Sequence, residues 1–213
     1  SWGVGVSVVL ACGLGFRTRA QLPAWRNAET LWTSVIWHYP ACGIANANLA
    51  MAYQRAGQAE PAFAYAHAAM EQEPTYVPGY WVLVDVCFER RDFTNALKYA
   101  QASLAAVPGE PDSLARLGLA LLKTGKLPDA VKALEEAIRK KPVLVAARYN
   151  LASAYSRLGD FRAAEIWLRS AIEQDRSYVE MARRDRVFQG WQRDAVYGGR
   201  LRLLLGAGEG KNP

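Results

Sequence analysis

A chain of 213 residues that is 51% hydrophobic and 22% charged has enough apolar material to bury the core of one or two domains, which excludes a disordered chain. Its net charge of +6 sits at the ends: residues 1–42 hold three basic and one acidic side chain, residues 43–175 fifteen of each, and residues 176–213 eight basic and four acidic. The neutral middle leaves a nucleic-acid stripe without support. Cys12, Cys42 and Cys87, scattered without a CxxC, speak against zinc and against a disulfide framework.

The opening run SWGVGVSVVLACGLGF is uncharged up to Arg17. It is shorter than the roughly 20 apolar residues of a membrane span and lacks the basic start of a signal peptide. Residues 1–19 are therefore expected to be the tail of a transmembrane helix that tethers the chain. Residues 20–42 predict one lone helix, with Pro23 near its start and Pro40 at its end. Trp25, Trp32 and Trp37 give it a large apolar surface, suited to the next helices or to a membrane interface.

From residue 43 the chain repeats every 34 residues without insertion, over 43–76, 77–110, 111–144 and 145–178. The clearest stretch is Leu114–Pro142. Leu114, Leu117, Gly118 and Leu121 line one helical face, Gly125 turns the chain, Ala130, Leu134, Ala137 and Ile138 line a second helix, and Pro142 closes it. The seventh position is leucine throughout (Leu49, Leu83, Leu117, Leu151), and the twentieth is alanine (Ala62, Ala96, Ala130, Ala164). The turn glycine recurs as Gly57, Gly125 and Gly159, but Arg91 stands in its place in the second unit. Ser177–Leu205 predicts a cap of two helices, near 178–189 and 191–205, and 206–213 a disordered Gly-rich tail. The seven arginines from Arg176 to Arg202 suit a solvated cap face, or a patch for anionic lipid or an acidic partner.

This pattern resembles the tetratricopeptide repeat, which has the same period and small residues where its helices cross. The resemblance implies an all-α fold, a right-handed superhelical solenoid of about four helix-turn-helix units with a preceding single helix and a capping helix pair. It also implies a concave groove, lined by the first helices, that binds a peptide or a partner protein. The positions opposite the packing stripe are Asn48, Met51, Trp81, Asp85, Arg116, Leu119, Tyr149, Asn150, Ser153 and Arg157. There Trp81 and Tyr149 are expected to serve as flat anchors, while Arg116, Asn150 and Arg157 hydrogen-bond a peptide backbone or carboxylate. No phosphate loop, HExxH or nucleophile elbow is present, and His38 and His67 fall on separate second helices. No catalytic residue, metal or cofactor is expected.

Residues 1–50 carry a second resemblance. An apolar segment, basic residues, WRNAETLW, a proline and then repeats look like the junction in membrane glycosyltransferases of the transmembrane and tetratricopeptide-containing O-mannosyltransferase type. That resemblance implies a non-catalytic arm presenting acceptor polypeptide, on the extracytoplasmic side of a membrane. Arg17 and Arg19 after the apolar run argue for the cytoplasmic side instead. The expectation is the extracytoplasmic side.

Overall fold

The computed structural model describes residues 27–206, which form twelve α-helices and no strand. The span expected over 1–19 and, apart from Gly206, the tail expected over 206–213 lie outside the described residues. The chain divides into two compact units, residues 1–86 and 87–213.

In the first unit, α1 (Ala28–His38) starts on a reciprocal cap: the Asn27 side chain accepts from the Thr30 amide at 2.8 Å, and the Thr30 hydroxyl accepts from the Asn27 amide at 3.3 Å. The part of the lone helix expected ahead of Asn27 lies outside the described residues. No residue of α1 is fully buried; Trp32 is half-buried and Trp37 is 83% exposed. Tyr53 anchors this helix to the next, donating to Glu29 at 3.3 Å while its ring stacks on Tyr65 at 5.5 Å.

Helices α2 (Gly43–Arg55) and α3 (Ala59–Gln72) form an antiparallel pair whose interface is mostly methyl groups. Ala45, Ala47, Ala50, Ala62, Ala66 and Ala69 are buried around Leu49, so the two backbones approach closely. Helix α4 (Pro78–Glu89) follows and buries Val82, Leu83, Val84 and Val86. Gly79 faces α3, where an added Cβ would lie 3.2 Å from that of Ala69.

The second unit holds α5 (Phe93–Ala106), α6 (Pro111–Lys123), α7 (Leu127–Lys140), α8 (Val145–Leu158) and α9 (Phe161–Gln174). Aspartates open α5 and α9: Asp92 accepts from the Asn95 amide at 3.1 Å and Asp160 from the Ala163 amide at 3.0 Å. Hydrogen bonds from Asn95 hold the Asp92 carboxyl below its ordinary range, the Asn95 side chain contributing most. Helices α5 and α6 share a buried bond between the Ser103 and Ser113 hydroxyls, at 2.6 Å. The repeating alanines Ala62, Ala96, Ala130 and Ala164 are all fully buried, and Leu49, Leu83 and Leu151 with them. Leu117 is only half-buried, packed beside Leu121 and Leu122.

The turns explain the exception at Arg91. Gly57, Gly125 and Gly159 adopt φ of 72°, 82° and 80°, and Arg91 adopts the same left-handed conformation at 58°. The fold imposes this backbone shape whether or not the residue suits it, and a Cβ there costs about 1–2 kcal/mol. Arg91→Gly is therefore expected to raise stability by about 0.5–1 kcal/mol, the freer unfolded chain offsetting part of the relief. Urea denaturation of the two proteins checks this, and an unchanged or lower midpoint contradicts it.

The cap departs from the two long helices expected. It consists of α10 (Ser177–Arg184), a 3₁₀ turn (Arg186–Phe188), the single turn α11 (Gln189–Gln192) and α12 (Tyr197–Leu204). Two aspartates break the chain. Asp185 takes an extended backbone and accepts from the Val187 amide at 3.0 Å, while Asp194 accepts from the amides of Val196 and Tyr197 at 2.9 and 2.8 Å. Aspartate suits such local caps better than a helix interior, so three short helices and a 3₁₀ turn replace two longer helices.

Candidate functional site

The residues singled out as a groove lie on the first helix of each pair. On α2, Asn48 and Met51 are half-buried; on α4, so are Trp81 and Asp85. Asn48 turns its amide back onto its own helix, donating to the Ile44 carbonyl at 2.8 Å. Gln54 reaches across to Asp85 at 3.4 Å, which sets α2 and α4 side by side. Within this unit the four residues thus form one partly exposed surface of an aromatic ring, a thioether, an amide and a carboxylate.

In the second unit Arg116, Leu119 and Asn150 are half-buried and Arg157 is exposed. Leu119 packs against the core cluster of Leu121, Leu122, Ala130, Ala133 and Ala154, so part of its surface is structural. The guanidinium of Arg157 donates to the Leu122 carbonyl, at the last turn of α6, where the helix dipole favours a cation. Arg116 donates to the Asp112 carbonyl at 3.5 Å, and Asp112 pairs with Lys141 at 2.8 Å. Both arginines are therefore oriented by helix α6.

Two of the expected groove residues are core. Tyr149 is 5% exposed, and Ser153 is buried as well. The ring of Tyr149 meets Tyr178 at 5.1 Å and the edge of Phe188 at 5.8 Å, and its hydroxyl donates to Asp185 at 2.9 Å. Burial, and then the Asp185 carboxylate, push its pKa far above the ordinary tyrosine range. The cause of both departures is the cap: the 3₁₀ turn lies on α8, and Ser156 donates to the Val187 carbonyl at 3.0 Å. The last repeat has no following repeat, and the cap covers the face that would otherwise stay open.

The structure also gathers a cluster on α9 that sequence reasoning does not single out. Glu165 is buried, with its carboxylate held by Arg169 at 2.9 Å and by Arg200 of α12 at 2.8 and 3.1 Å. The one hint is the i, i+3, i+7 spacing of Arg162, Glu165 and Arg169, which looks like any solvated helix face. The partner Arg200 lies 35 residues further on.

The family model of the tetratricopeptide repeat matches residues 115–179. A 107-residue stretch is 32% identical to the peroxisomal targeting signal receptor of Eremothecium gossypii, covering 50% of this chain but only 18% of that receptor. Among solved structures, TTC0263, a thermophilic tetratricopeptide protein of Thermus thermophilus, superposes with a TM-score of 0.61 at 20% identity, covering 82% of this chain and 95% of that one. YrrB, a tetratricopeptide protein with an unusual peptide-binding site, does so with 0.60 at 18%, covering 83% and 96%. The family model thus covers about a third of the chain, and the paired helices of the described residues have the all-helical fold of the tetratricopeptide repeat structures they resemble.

Proposed function

We propose that the chain is a protein-interaction scaffold whose first helices hold a peptide segment of a partner. The observation that carries this reading is the partly exposed surface of Asn48, Met51, Trp81 and Asp85, set on helices whose other faces are closely packed. A half-exposed tryptophan beside oriented polar groups is the composition of an interaction hot spot. In the second unit, Arg116, Asn150 and Arg157 offer further polar groups on α6 and α8. The similarity to a peroxisomal targeting receptor and to YrrB supports a peptide as the ligand.

The test places a photoreactive group at Trp81 or Asn150 in cells and compares the crosslinked partner with that captured by Trp81→Ala and Asn150→Ala. Each alanine variant is expected to lose partner by about tenfold or more while its helical circular dichroism stays unchanged. Full retention of the partner by both variants contradicts the assignment.

A second reading concerns the front of the chain: a membrane-tethered arm that presents acceptor polypeptide to a glycosyltransferase, on the extracytoplasmic side. It is supported by the resemblance of residues 1–50. Among the described residues no helix is long and apolar enough to cross a membrane. The coding sequence ahead of Ser1 separates the readings: several apolar spans with acidic residues in an early loop favour the transferase, and a single span sinks it.

A further inference from the structure

Where α9 meets α12 a cleft of about 680 Å³ opens, a size within the usual range of ligand sites. It lies on a second helix of the repeats, so it is separate from the surface proposed above. Along α9 the lining residues recur as Arg162, Glu165, Arg169 and Glu173, and α12 contributes Tyr197 and Arg200. Three guanidinium groups therefore face two carboxylates.

The carboxylates are not equivalent. Glu165 is buried and already paired with Arg169 and Arg200. Glu173 stands eleven residues from Arg162, or about 16 Å along the helix. Arg169 lies one turn from both carboxylates, so the charges alternate along α9, and Arg162 is the cation at the end away from Glu173. Each guanidinium carries five N–H donors, of which Glu165 engages one on Arg169 and two on Arg200. Arg162 is exposed and has no ion-pair partner among the described residues. Apolar surface lies close by: the Tyr197 ring sits 5.5 Å from the Arg200 guanidinium, and Ile166 is 58% exposed at the rim.

We propose that this cleft docks an acidic side chain of a partner protein's peptide, flanked by apolar residues. Arg200 already holds the Glu165 carboxylate in fork geometry and Arg169 holds it through one nitrogen, and a second carboxylate uses the donors left over on these two and on Arg162. A phosphate dianion fits less well, because the three positive charges of the lining are offset by two negative ones and the added charge would lie against Glu165. A lipid surface fits less well too, since the arginines line a recess.

The test uses the whole 213-residue chain with ¹⁵N-labelled arginine. It is titrated separately with acetyl-Leu-Glu-Leu-amide, acetyl-Leu-Gln-Leu-amide, inorganic phosphate and phosphatidylserine vesicles. The Nε–H signals of Arg162, Arg169 and Arg200, assigned through single Arg→Lys variants, are expected to shift saturably with the glutamate peptide and not with the glutamine one. Arg162→Gln is expected to weaken that binding by about tenfold while leaving the urea midpoint unchanged. Four outcomes overturn the proposal: equal shifts with the glutamine peptide, shifts with phosphate or vesicles but not the glutamate peptide, no shift up to on the order of 10 mM peptide, or unaltered affinity in Arg162→Gln. Loss of partner capture in Trp81→Ala leaves every one of these readings in place, so the two proposals fail separately.

Discussion

Trp191→Ala is expected to destabilise the C-terminal unit by about 3–5 kcal/mol. Trp191 is fully buried in the four-residue helix α11, which by itself has too few hydrogen bonds to persist. What holds α11 is the indole. It packs edge-on to Phe188 at 5.9 Å and nearly parallel to Phe161 at 6.3 Å, and its N–H donates to the Tyr197 carbonyl at 2.9 Å. Alanine leaves a cavity between α8, α9 and the cap, and removes the donor that ties α11 to α12. Urea unfolding followed by far-UV circular dichroism reads the loss, and Trp37→Ala is the control: at 83% exposure it should change stability by at most about 0.5 kcal/mol. Equal effects of the two substitutions would contradict the packing described.

The second large effect lies at the crossing of α6 and α7. Leu134 is fully buried, and a Cβ added at Gly118 would meet its Cγ at 2.5 Å and its Cδ2 at 2.8 Å. Leu134→Ala is expected to cost about 2–5 kcal/mol through lost burial and a cavity. Gly118→Ala is expected to cost about 1–3 kcal/mol, because a side chain enclosed on all sides cannot swing away. In the double variant the new methyl occupies space vacated by leucine. Its total cost should fall at least about 0.5 kcal/mol below the sum of the single costs, the mark of two residues sharing one volume. Strict additivity in denaturation experiments would show that the two helices part instead of repacking.

The candidate surface was legible only in part. A 34-residue period identifies which positions are invariant in size, since the same helix crossing recurs and admits only small or leucine-sized groups at Leu49, Ala62, Leu151 and Ala164. It says that the positions opposite are free to vary, without saying whether anything covers them. Trp81 and Asp85 remain partly exposed, whereas Tyr149 and Ser153, at the same two registers, are buried. The difference comes from the cap, whose short elements follow no period. The Glu165–Arg200 pair was hidden for a related reason: it joins a periodic helix to an aperiodic one.

By itself the sequence determined the all-helical class, the pairing of helices and the registers at which they cross, because these follow from local spacing: apolar stripes, turn residues and helix stops. It also located the left-handed turns, although Arg91 shows that the conformation belongs to the repeat and not to glycine. Only the tertiary structure decided which faces stay open, how residues 177–205 fold back, and where three guanidinium groups gather around one cleft. Those features depend on contacts between segments remote in the chain, and no local pattern records them.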